Sequence, residues 1–320
     1  MSGGRSDPPE LSVQIPTHQR AELLPRVLRA WRDRLSGGPG AEIVVVDDGS
    51  RDGTPRVLAE LADAFAAGEI PLRHAGHDNA GAAVPRTRAI EMARGRVLLF
   101  SDDDMVPDDR ELPARHLAAQ VRRPGAWVSR LVVPDEVVRT PFQAYWRRRL
   151  HAGTRPLKDG ADLGRNGFWF ATLSLPRELL GEQRFSPAFD GYGWQDHELG
   201  YRLWRAGVRS RFLRDATIEH HDRVTFATTE SKYYRLGLRA WTFARLHPRL
   251  DVRLWTGTHP LSRLARRALA HPLRAARLRG RDVGELSDRQ IAVLLEVAYA
   301  RGLADGAPRR GGAQRDGGDA

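Results

Sequence analysis

Two stretches of the chain, Ile43 to Val46 and Val97 to Phe100, are continuous apolar runs of the kind shown by strands buried on both faces. Both run into acid, the first directly at Asp47-Asp48 and the second, after Ser101, at Asp102-Asp103-Asp104. Leu11 to Ile15 reads as another short strand, ending at Pro16-Thr17. Between these runs the apolar period becomes helical: Leu23, Leu24, Val27, Leu28, Trp31 and Leu35 share one face of a helix over 21–35, closed by Gly37-Gly38-Pro39-Gly40. A second helix is predicted over 54–67 and a third strand over 72–74. Asn79-Ala80-Gly81 then opens a helix through Ala93, and Gly95 precedes the strand that delivers the three aspartates. Alternating strands and helices imply parallel strands joined by right-handed crossovers. In such a sheet ligands sit beyond the carboxyl ends of the strands, so Pro16-Thr17, Asp47-Asp48 and Asp102 to Asp104 can converge on one ligand.

The second half is less regular. Strands are predicted over 127–133 and 167–174, an aromatic and basic helix over 141–150, and a helix over 196–206 with Leu199 and Leu203 on one face and Gly207 closing it. Residues 229–247 and 259–279 read as Arg-rich amphipathic helices and 286–301 as another. No internal repeat is visible. Residues 1–10 read as a disordered lead-in, and the Gly, Arg and Asp composition from 304 to 320 as a disordered tail.

A hydrophobic content of 41% and a charged content of 28% over 320 residues are globular values, enough for one large α/β domain or two smaller ones. No apolar run approaches the roughly 18 residues that span a bilayer, and the first ten residues lack a signal-peptide core, so the expected location is the cytoplasm. Cysteine is absent, which excludes disulfides, thiolate metal sites and a cysteine nucleophile. Oxygen and imidazole remain as metal ligands, and clustered carboxylates favour a hard divalent ion such as Mn²⁺ or Mg²⁺. The net charge of +11 permits an anionic partner. Only Lys158 and Lys232 are lysine, however, and Arg, Ala and Gly are abundant throughout, a pattern that genomic base composition also produces. Nucleic acid is not expected as a partner.

Five segments taken together resemble the inverting family 2 glycosyltransferases of the GT-A fold: 12–17 (SVQIPT), 43–54 (IVVVDDGSRDGT), 79–86 (NAGAAVPR), 95–107 (GRVLLFSDDDMVP) and 191–207 (GYGWQDHELGYRLWRAG). The last is similar to the acceptor motif of the galactosyltransferase-like members. The resemblance implies a nucleotide-diphospho-sugar transferase fold, a mostly parallel Rossmann-like sheet flanked by helices, over 11–225, with a helical C-terminal extension over 226–303. Within it, 11–107 would be the nucleotide half and 108–225 the acceptor half.

The family pattern implies that Pro16, Thr17, Asp47 and Asp48 hold the nucleotide, with Arg20 a weaker candidate, and that Arg86 faces the diphosphate. Asp102 and Asp103 would contact the donor, and Asp102 and Asp104 would hold Mn²⁺ or Mg²⁺, with His220 a further ligand. Asp196 takes the place of the catalytic base, although the family's Glu-Asp reads Gln195-Asp196 here. Tyr192, Gly193, Trp194 and Gln195 would contact the acceptor, and Glu198 is either a second acid or a helix-face charge. Each aspartate has a plainer reading as a turn or helix cap. The expected activity is transfer of a sugar from a nucleotide-diphosphate donor, UDP first among them, to a glycan, lipid-linked or small-molecule acceptor. A sugar nucleotidyltransferase and a non-enzymatic polyanion-binding protein are the rival readings. Arg263, Arg266, Arg267, Arg274, Arg277, Arg279 and Arg281 alternate with leucines, which admits peripheral contact with the inner face of the plasma membrane as well as ordinary solvated helices.

Overall fold

In the computed structural model, which describes residues 7–66, 68–269 and 281–308, the predicted alternation holds through the first hundred positions. The elements are β1 (Leu11–Thr17), α1 (Leu24–Leu35), β2 (Ala41–Asp47), α2 (Thr54–Ala66), β3 (Leu72–Gly76), α3 (Ala83–Met92) and β4 (Val97–Ser101). There follow β5 (Met105–Pro107), α4 (Leu112–Arg122), β6 (Ala126–Val132), α5 (Pro141–Thr154), β7 (Thr172–Pro176), α6 (Arg177–Leu180), α7 (Gln195–Arg205) and β8 (Ser210–His220). The strands form one sheet in the order β3-β2-β1-β4-β7-β6-β8-β5. β1 pairs in parallel with β2 and β4, β2 with β3, and β6 with β8, whereas β7 runs antiparallel to β4 and β6, and β5 antiparallel to β8. Because β7 reverses direction between β4 and β6, the carboxyl ends of β4, β6 and β8 all emerge on the same edge as those of β1 and β2.

The apolar runs are continuous because both faces of the sheet are covered. Ile43 and Val45 belong to a cluster with Leu28, Trp31 and Leu58 from α1 and α2, while Val44 and Val46 belong to another with Ala89, Ile90 and Leu199 from α3 and α7. Alternate residues of one strand thus feed two cores.

Several expectations are corrected. The strand predicted over 167–174 begins only at Thr172. α4 was not anticipated because its inward face carries polar residues: His116 is fully buried between the hydroxyls of Ser174 (2.8 Å) and Ser129 (2.7 Å), and Gln120 donates to Gly125 O (3.0 Å). β8 is longer than its apolar pattern shows because it bulges, the register with β6 jumping from Leu213 to Thr217 between Ser129 and Arg130. The end of the expected disordered lead-in is tied down, since Glu10 N donates to Gly40 O (2.8 Å) and Arg96 N to Pro9 O (3.0 Å).

The chain divides into two compact units, Met1–Thr225 and Phe226–Ala320. The second contains α8 (Phe226–Leu246), α9 (Leu250–Trp255), α10 (Pro260–Leu269) and α11 (Asp288–Asp305), the last reaching into the segment expected to be a tail. α8 and α11 approach so closely that a Cβ on Gly302 would lie 1.9 Å from Tyr234 O. Leu273, Arg274, Arg277, Leu278 and Arg279 of the Arg-rich stretch, and 309–320 of the tail, lie outside the described residues. No described helix is long and apolar enough to cross a membrane.

Candidate active site

A cleft of about 280 Å³ opens at the carboxyl ends of β1 and β4, lined by Pro16, Thr17, His18, Arg20, Asp48, Ala82, Pro85, Arg86 and Asp102 to Asp104. Four of the five segments singled out in the sequence therefore do meet. Thr17, the last residue of β1, donates from Oγ1 to Asp103 Oδ2 (2.8 Å), and His18 N approaches the same oxygen at 3.3 Å. These bonds fix the first strand end against the acidic one.

The two aspartates after β2 behave differently. Asp47 Oδ1 accepts from the backbone N of Ser50 (3.2 Å) and from its hydroxyl (2.5 Å), which closes the turn, and Asp47 does not line the cleft. Asp48 lines it and accepts from Ala80 N (2.8 Å) and Gly81 N (3.1 Å). Neither caps α2; Asp52 does, its Oδ1 accepting from Thr54 N at 2.9 Å. Gly81 has φ +82° and no room for a side chain, because a Cβ would lie 2.9 Å from Asp190 O. The turn that Asp48 anchors is therefore packed directly on the loop leading to α7.

Arg86, projecting from α3, is the junction of the site. Only 7% exposed, its guanidinium donates to Asp102 Oδ1 (2.6 Å) and Phe170 O (3.3 Å), and its Nε lies 3.7 Å from Asp196 Oδ1. Burial works against its charge, but Asp102 and Asp196 outweigh that and hold it protonated far above any working pH. Its two terminal nitrogens are bonded within the protein while its buried Nε has no hydrogen-bond partner among the described residues, so it is the charge of Arg86 that draws the two carboxylates together.

Asp196 sits in the first turn of α7. The preceding Trp194 takes a left-handed backbone conformation (φ 67°), unusual for a bulky residue, and Gln195 Oε1 accepts from Gly193 N (2.8 Å). This forced turn sets the helix so that Asp196 faces Arg86. Asp196 Oδ1 is buried, without a hydrogen-bond partner among the described residues. Burial raises the Asp196 pKa, Arg86 opposes the rise, and Asp102 adds to it. Gln195 is buried, Tyr192 is 40% exposed, and the Trp194 ring meets that of His197 edge-on at 5.3 Å. Glu198 is buried and holds Arg202 through both oxygens (2.8 and 2.9 Å).

Asp103 and Asp104 are buried side by side. Burial and the charge of Asp104 push the Asp103 carboxyl well above its ordinary range, with Arg20 and Thr17 opposing. Asp104 Oδ2 lies 3.6 Å from His220 Nε2, at the end of β8. Ligand atoms of Asp104, His220 and Asp222 all fall within 4.8 Å of one another, a two-carboxylate, one-imidazole set that suits Mn²⁺. Asp222 escaped the sequence reading because it follows the histidine pair in a loop without periodicity. Asp102 lies outside this set and bonds Arg86 instead. His221 turns away, its Nε2 at 2.7 Å from Glu219 and its backbone N donating to Asp104 O (2.8 Å).

A GDP-mannose and Mn²⁺ complex of the mannosyltransferase PcManGT from Pyrobaculum calidifontis superposes with a TM-score of 0.58 at 20% identity, covering 92% of this chain and 87% of that one. GalNAc-T7 with UDP, GalNAc and Mn²⁺ superposes at 0.51, with 18% identity over 68% of this chain and 44% of that one. These likenesses give the fold, that of the GT-A glycosyltransferases. In sequence the chain is 30% identical over 288 residues to validoxylamine A glucosyltransferase of Streptomyces hygroscopicus subsp. jinggangensis, an alignment over 81% of this chain and 66%, just under two thirds, of that relative. Residues 12–172, half of the protein, match glycosyl transferase family 2, and they contain Thr17, Asp48, Arg86 and all three aspartates after β4; the chain belongs to that family.

Proposed function

We propose that the protein transfers a sugar from a nucleotide-diphosphate donor to an acceptor hydroxyl by a single displacement that inverts the anomeric centre. The observation that carries this reading is the Asp102–Arg86–Asp196 chain, which joins the acidic end of β4 to the half-buried carboxylate of α7 across 2.6 and 3.7 Å. In the proposed reaction Asp196 accepts the proton of the acceptor hydroxyl while that oxygen forms the new bond to the anomeric carbon. The nucleoside diphosphate departs with the bonding electron pair. Arg86 holds Asp196 aimed and ionised, while burial keeps its basicity above that of a solvated aspartate.

Asp104, His220 and Asp222 would hold Mn²⁺ or Mg²⁺, and a cation there supplies charge stabilisation to the departing diphosphate. The nucleotide and Mn²⁺ complexes of similarly folded proteins support both the donor class and the ion. Asp48 and Thr17, which line the cleft, would hold the nucleotide, and Tyr192 and Trp194, just before the base in sequence, would meet the acceptor. Acceptors are glycans, lipid-linked sugars or small hydroxylated molecules. Carboxylates dominate the cleft between Thr17 and Arg86, which disfavours a polyanion.

The test is single-turnover kinetics with thermal-shift screening of UDP-, GDP- and dTDP-sugars in Mn²⁺. Asp196→Asn should lower turnover by at least 10²–10³-fold, roughly the contribution of a positioned base, with donor stabilisation unchanged. Retained turnover in that variant removes Asp196 from the role. Peripheral membrane contact by the Arg-rich C-terminal helices is a separate part of the proposal, tested by flotation on anionic liposomes with and without 259–320; equal flotation refutes it.

A further inference from the structure

We infer that Arg20 is a built-in counter-cation of the metal site, competing with the divalent ion for the same carboxylates and so setting its affinity. The inference rests on the metal reading of Asp104, His220 and Asp222. Arg20 Nε lies 3.1 Å from Asp103 Oδ1, Nη2 lies 3.4 Å from Asp104 Oδ2, and Nη1 lies 3.5 Å from Asp222 Oδ1. Two of these three carboxylates belong to the ligand set, and the Asp104 oxygen that meets Arg20 is the same one that stands 3.6 Å from His220 Nε2. A divalent ion needs such an oxygen at about 2.0–2.2 Å. A guanidinium bound to it is then repelled by the ion at short range, so one cation weakens the hold on the other.

The backbone is built to bring Arg20 to this place. Gln19 adopts a left-handed conformation (φ 56°) two residues after β1, its N donating to Ser50 Oγ (2.8 Å), and Arg20 N donates to Thr54 Oγ1 (2.9 Å). The main chain is thus pinned to the β2–α2 turn, while among the described residues the long side chain is held by the carboxylates of Asp103, Asp104 and Asp222. Space for it to leave exists as well: Arg20 lines not only the donor cleft but a second cavity of about 550 Å³ shared with Glu22, Glu136, His221 and Asp222. Glu22 there offers a displaced guanidinium a new partner, whereas Glu136 is already held by Arg26 (2.9 Å). Arg20 is therefore a positioning residue whose charge is traded against that of the ion.

The experiment is direct Mn²⁺ titration of the full chain, followed by the loss of the free-ion electron paramagnetic resonance signal, for the wild type, Arg20→Gln and Arg20→Lys. Arg20→Gln should bind Mn²⁺ about tenfold more tightly or better, and Arg20→Lys, which keeps the charge, should stay near the wild type. Near-ultraviolet circular dichroism of each variant shows that it is folded, and should Arg20→Gln fail to fold, Arg20→Met with the same readout replaces it. Equal or weaker binding by the neutral variants, alongside clear wild-type binding, overturns the competition and leaves the metal site standing. Absence of Mn²⁺ binding in every variant overturns both.

Discussion

Replacing Arg86 with methionine is the sharpest probe of how this site is held together. Methionine keeps much of the aliphatic bulk beside the Phe185 ring, over which the guanidinium carbon sits at 5.8 Å, but deletes the charge that faces Asp102 at 2.6 Å and Asp196 at 3.7 Å. Removing one partner of a buried ion pair costs about 3–5 kcal/mol, because the other charge is left uncompensated. Asp102 is 29% and Asp196 26% exposed, so water recovers part of that loss and about 2–4 kcal/mol remains. In a unit of this size that corresponds to a fall in Tm of roughly 5–15 °C. Guanidinium unfolding of Arg86→Met, Asp102→Asn and the double variant measures it as a cycle, and the coupling between the two positions should be about 1–3 kcal/mol. A single-variant loss below about 0.5 kcal/mol, the scale of an ordinary surface substitution, would refute the view that Arg86 organises the site.

Gly81→Ala should destabilise the catalytic unit by about 1–3 kcal/mol, since its φ of +82° and the Asp190 backbone at 2.9 Å both exclude a side chain; chemical denaturation reads this, and a neutral result contradicts the close packing of the two loops. His116 gives a pH signature. Burial lowers its pKa to about 3, below the unfolded value near 6.5, so the folded protein keeps it neutral. The unfolded chain takes up a proton that the folded one refuses; stability is therefore full above about pH 6.5 and falls by up to about 1.4 kcal/mol per pH unit between there and about pH 3. His116→Gln should flatten that slope in urea melts at several pH values, and an unchanged slope rules the assignment out. Glu198→Gln, by contrast with Asp196→Asn, should keep turnover within a few-fold, because its carboxylate is committed to Arg202; a loss as large as that of Asp196→Asn would return Glu198 to the chemistry.

Local patterning determined the first half of this fold on its own. Strands buried on both faces must be apolar at every position, and amphipathic helices must repeat their apolar stripe, so β1 to β4 and α1 to α3 stood in the sequence within a few residues of their ends. The aspartates after β2 and β4 were equally plain, because a strand end is the one place where such a run meets water. Tertiary structure decided what each acid does. Asp47 and Asp48 are neighbours of the same type, yet one closes its own turn and the other reaches the Asn79–Gly81 loop, a distinction set by backbone direction after β2. The bond from Arg86 to Asp102 spans 16 residues and its contact with Asp196 spans 110, and nothing local records either. Asp222 and Arg20 meet across 202 residues only because β8 returns beside the open end of the sheet. α4 stayed hidden for the complementary reason that its buried face includes the polar His116 and Gln120, and the serines on β6 and β7 that satisfy His116 become its partners only once the chain has folded.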